Sequence, residues 1–161
     1  MRTLSKWGTD YTTVPLRLAL GIAFLSSVAD RLGLWGRPGA KNVAWGNFGN
    51  FVAFTAILNP YAPSSVIRPM AWVVTLAEVT LGLLLIVGFR VRETATASAV
   101  LLLLFAVGMA IGLGIKAPLD YSVFAASTAG FLLAAHWKSP LSIDALFSAR
   151  GRSSSRASRL H

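Results

Sequence analysis

Ionisable side chains inside apolar runs are the places where this chain could do chemistry, and Glu78 and Arg17 stand out. Glu78 lies near the middle of the run Met70–Phe89, where it is the one charged residue. If that run crosses a bilayer, an acidic side chain at such depth costs about 2.5–3.5 kcal/mol on insertion scales. Glu78 must then be protonated, or face the inside of a helix bundle and meet a cation or hydrogen-bond donors. Ala71, Thr75, Glu78 and Gly82 recur at helical spacing and form one small, polar stripe, which favours the inward direction. Arg17, near the start of the first apolar run, is the leading cation for it. The two could meet directly, or share a water or a ligand headgroup. The alternative is that Arg17 snorkels to the interface while Ser, Thr or Trp donors hold Glu78. A desolvated carboxylate beside an arginine is a sensible proton donor, so Glu78 and Arg17 are the candidate catalytic residues.

Other polar positions carry less. Ser26, Ser27 and Asp30 sit near the end of the first apolar run and either cap a helix or line a mouth. Asp120, before Tyr121, fits the N-cap of a last helix. Gly108, Gly112 and Gly114 are spaced for close helix packing, and His136 beside Trp137 suits an interface. The chain has no cysteine, which excludes thiol relays, disulfides and Fe–S clusters built on it alone. No phosphate loop, nucleophile triad or metal-ligating cluster is present in the sequence, and no metal or covalently bound cofactor is expected.

The elements that must position these residues are membrane helices. Of 161 residues, 55% are apolar and 13% charged, with six carboxylates in all. That is too few to solvate a water-facing surface, and the composition points to lipid as the solvent. The expectation is an all-α, four-helix transmembrane bundle in a single domain over 1–147, with spans at about 14–31, 70–89, 94–115 and 120–137. A signal peptide is the rival for the first span, but Arg17 interrupts it and no clear cleavage site follows. Between the first two spans, Gly33, Gly36, Pro38 and Gly39 end any helix, and 42–58 then reads as an interfacial or re-entrant helix. A short amphipathic helix is expected at 139–147, followed by a basic disordered tail at 148–161.

The net charge of +9 would suggest nucleic acid in a water-soluble protein. Here the basic residues follow the spans instead. Four spans place Arg2, Lys6, Arg17, Arg90, Arg92, Lys138, Arg150, Arg152, Arg156 and Arg159 on one side. Arg31, Arg37, Lys41, Arg68 and Lys116 fall on the other, so both termini are expected in the cytoplasm of a cell with this protein in its inner membrane. The lipid bilayer is the expected partner and nucleic acid is not.

Three stretches resemble a known family. Leu16-Arg17-Leu-Ala-Leu-Gly21 resembles the first helix of DoxX/DoxD membrane proteins, and Ala77-Glu78-Val-Thr-Leu-Gly82 through Gly88-Phe-Arg90 is similar to their second-helix signature. Ser139-Pro-Leu-Ser142-Ile-Asp144 is similar to their C-terminal ending. The resemblance implies a small four-helix membrane protein, with Arg17 and Glu78 as a recurrent polar pair. It further implies a membrane subunit of a quinone-linked oxidoreductase, some members being the small subunit of a thiosulfate:quinone enzyme. A quinone would then be the cofactor and a partner oxidoreductase subunit the electron source. The alternatives are a non-catalytic anchor or assembly subunit and, last, a small-molecule transporter. Oligomeric state, self-association included, is left open.

Overall fold

A computed structural model describes residues 5–136 and 141–143, with side chains described from residue 11 onward. Among the described residues the regular elements are all helices: α1 (Ser5–Arg31), α2 (Phe48–Leu58), α3 (Ser64–Val87), α4 (Val91–Leu113), α5 (Lys116–Asp120) and α6 (Val123–Ala135), joined by turns and a longer 32–47 loop. Three helices are long and apolar enough to cross a membrane: α1 from Tyr11, α3 and α4. At a rise of about 1.5 Å per residue each exceeds the roughly 30 Å of a bilayer's hydrocarbon core. The protein is a multi-pass helical membrane protein.

The last expected span is drawn differently. Its described part is two helices, α5 and α6, and α6 has 13 residues, about 20 Å. Asp120 does not cap α6. It ends α5 and pairs back on Lys116 one turn earlier, and the left-handed Ser122 (φ 55°) redirects the chain at the start of α6. The expected 139–147 helix and the 148–161 tail lie outside the described residues, apart from 141–143.

Close backbone approach sets the helix pairs. α1 and α3 run antiparallel with Gly21 against Gly82, where a Cβ on Gly21 would lie 2.8 Å from the Gly82 carbonyl oxygen. α4 and α6 meet at Ala99, whose carbonyl accepts from Ser127 Oγ at 2.8 Å and whose Cβ lies against Gly130. Leu20, Phe24, Leu85, Val91, Ala95, Leu133 and Ala134 join α1, α3, α4 and α6 in one core. The end of α2 rests on α4, with Ile57 and Leu58 over Gly108 and Gly112. The alternating helix directions leave two ends to the molecule. One holds Arg17, the α3–α4 turn and the close of α6. The other, called the cap end here, holds the close of α1, the 32–47 loop, α2 and the starts of α3 and α6.

Candidate functional site

Glu78 faces the bundle, 3% exposed, but its cation is Arg31 and not Arg17. Helix geometry explains the choice. Every Cα–Cβ bond tilts toward the N-terminus of its own helix. On α3 that direction runs from Glu78 toward Thr75 and the cap end. On α1 it turns Arg31, the last residue of the helix, back into the bundle. The two side chains therefore lean toward each other and form an ion pair through Nη1 and Oε2, with Arg31 1% exposed. Arg17, on the same helix, also leans toward the start of α1, which from its level carries it away from Glu78.

The Arg31 guanidinium is held on several sides. Nη1 donates to Thr75 Oγ1 and Nη2 to Ser27 Oγ, both at 3.1 Å. Thr75 in turn donates to the Ala71 carbonyl at 2.8 Å, so its hydroxyl hydrogen is used and its lone pairs face the cation. Cζ lies 3.6 Å from the Phe51 ring centroid and 5.1 Å from that of Trp45. Cation–π contact of this kind is worth about 2 kcal/mol or more when water is excluded. Trp45 and Phe51 meet edge to face at 5.2 Å, and the two rings form a lid over the charge pair.

Asp30 fixes that lid. Its Oδ2 accepts from Ala44 N at 2.8 Å, and its Oδ1 from Gly46 N at 2.9 Å and Trp45 N at 3.4 Å. Its carboxylate therefore clamps the loop and does not cap its own helix, where a negative charge near the C-terminus would be unfavourable. Gly46 (φ +67°) cannot be replaced cheaply: a Cβ there would meet the Arg37 carbonyl carbon at 2.8 Å. The asparagines of this region serve the loop and α2. Asn47 caps α2 by accepting from Asn50 N, and Asn50 Nδ2 donates to the Trp45 carbonyl, both at 2.8 Å. Beside the clamp, a cleft of about 640 Å³ opens between α1 and the loop, lined by Ala23, Ser26, Ser27, Asp30, Trp35, Lys41 and Asn42.

Arg17 occupies the opposite end. It is 2% exposed, and Nη2 donates to the Leu141 carbonyl at 2.8 Å. Its guanidinium lies against Gly88, the left-handed C-cap of α3, where an added Cβ would be 2.9 Å from Arg17 Cζ and 2.6 Å from Ser142 Cβ. Arg17 thus joins α1, the α3–α4 turn and the segment after α6. His136 is exposed, with Nδ1 3.0 Å from the Leu132 carbonyl. Among the described residues, no three His, Cys, Asp or Glu side chains are grouped to hold a metal.

The sequence reasoning found Glu78 and its inward stripe but missed Arg31, Trp45 and Phe51 as its surroundings. The direction of side-chain tilt, applied to Asp30-Arg31 at a helix end, is the signal that would have found Arg31.

A polytopic helical membrane protein with a charge pair locked under the 32–47 loop is the class that fold and site define. The family model of methylamine utilisation protein MauE matches residues 9–122, and the chain belongs to that family. This overturns the resemblance to DoxX/DoxD proteins. The shared Ala-Glu and Gly-Leu-Leu-Leu pattern is what any inward-facing Glu on a tightly packed membrane helix requires, so it does not discriminate between families. No curated protein and no solved structure matches the chain.

Proposed function

We propose that the protein is a non-catalytic membrane subunit of a methylamine utilisation system, a scaffold on which another component of that system is held or assembled. Family membership supports the system. The scaffold role rests on one observation: the Arg31–Glu78 pair is enclosed beneath Phe51 and Trp45 and engaged with Thr75 and Ser27, so its chemistry goes into holding α1, α2, α3 and the loop in one arrangement. Replacing a buried ion pair with apolar residues of similar volume is often neutral or stabilising. The Arg31→Met, Glu78→Met double variant should therefore support growth on methylamine in a host that depends on this chain. An acid–base role for Glu78, the catalytic expectation from sequence, gives the opposite outcome: loss of growth at normal protein levels. Both termini lie on the cytoplasmic side in this reading. A cysteine replacing Arg92 should then be labelled from the cytoplasm only, and one replacing Asn42 from outside only; the reverse pattern would invert the assignment.

A further inference from the structure

The cleft beside the clamp has a polar end and an apolar end. Its wall on α1 runs from Ala23 to Asp30, about 10 Å along the helix axis, and Ala19 continues it as a small exposed residue one turn further in. Because this stretch belongs to a membrane-crossing helix, the inner part of the cleft opens toward lipid. The other end is roofed by the loop residues Trp35, Lys41 and Asn42. That roof has a set position: Asp30 accepts from the three amides Ala44 to Gly46, and the Trp35 indole N–H lies 3.1 Å from the Ser26 carbonyl and 3.2 Å from its hydroxyl. The side chains of Lys41 and Asn42 are exposed and make no hydrogen bond or ion pair among the described residues. The Asp30 carboxylate, 6% exposed, is turned into the loop amides. Lys41 is therefore the charge that the cleft presents.

We propose that this cleft binds an anionic phospholipid, with its phosphate at Lys41 and Asn42 and the start of an acyl chain along Ala23 and Ala19. The position at a helix end, the cationic roof and the exposed Ala23 and Ala19 of a membrane-crossing helix together select an anionic amphiphile over a water-soluble anion. Ser27 lines the cleft and also accepts from Arg31, so the cleft shares this residue with the surroundings of the Arg31–Glu78 pair.

Native mass spectrometry of the full chain in neutral detergent, titrated with phosphatidylglycerol or phosphatidylcholine, tests this. Phosphatidylglycerol should bind preferentially. Lys41→Gln should weaken it about fivefold, the usual effect of one basic residue at an anionic surface. Arg37→Gln makes the same charge change on the same loop, but Arg37 is exposed and outside the cleft, so binding should be unchanged. Ala23→Trp, on an exposed wall, should block the lipid without altering helix content or melting temperature. Equal losses in the Lys41 and Arg37 variants, or no loss in the Lys41 variant, would overturn the site. So would glycerol 3-phosphate competing as well as the whole lipid.

Discussion

The two ends of the α1–α3 pair each bury an arginine of α1, and the two arginines are used in different ways. At the cap end Arg31 meets a carboxylate, two hydroxyls and two aromatic rings, drawn from α1, α3, α2 and the loop. At the other end Arg17 meets a main-chain carbonyl and packs against a glycine, where α3 turns into α4 and the chain returns after α6. Both are almost wholly buried, at 1% and 2%. What separates them is their level relative to Glu78: both lean toward the start of α1, which carries Arg31 toward Glu78 and Arg17 away from it. The tilt of the antiparallel helices α1 and α3 assigns Glu78 to the cap end. The cap end thereby gains a charge clamp with long reach, and the other end a local latch.

The largest effects should come from splitting the clamp. Arg31→Ala or Glu78→Ala leaves one buried charge without its partner and should lower unfolding free energy by about 3–5 kcal/mol. The matched Met double variant should recover most of that loss, as read by denaturation in detergent. Asp30→Ala comes next. It strands the amides of Ala44, Trp45 and Gly46 and should cost about 1–3 kcal/mol, with the 33–46 loop becoming open to protease. Asp30→Asn keeps one acceptor oxygen and should lose less.

Disabling the latch should have a smaller and more local result. Arg17→Met should raise hydrogen exchange around 141–143 while leaving exchange in the 44–58 region unchanged. Loss of protection at both ends would mean that the ends are not independent. The smallest effect belongs to Asp120→Ala, which removes an exposed pair with Lys116 and should change stability by no more than about 0.5 kcal/mol.

Much of this was legible in the residues. The apolar runs Val14–Ala29, Met70–Phe89 and Thr94–Ile115 give three helices long enough to span, and the Ala71–Thr75–Glu78–Gly82 stripe gives the buried face. The glycines at 33 to 39 mark the end of α1, but the helix expected over 42–58 begins only at Phe48, after the Asn47 cap, because 42–46 are held in the loop by Asp30. What pattern could not supply is contact between distant segments. Trp45 and Phe51 reach Arg31 because Asp30 folds the loop back, and no periodicity records that. Asp120 has the composition of a cap, but Lys116 one turn earlier competes for it and the chain turns at Tyr121–Ser122 instead. The family was misread for a related reason: small residues flanking a buried Glu express the physics of membrane helix packing, which different families share.

The central claim is that Glu78 is paired with Arg31 and energetically independent of Arg17. Two double-mutant cycles on unfolding free energy, Arg31→Met with Glu78→Met and Arg17→Met with Glu78→Met, measure it directly. The account predicts a coupling of at least about 4 kcal/mol in the first cycle, because each single change strands a buried charge and the double change does not, and additivity within about 0.5 kcal/mol in the second. Additivity at Arg31 together with coupling at Arg17 would contradict it.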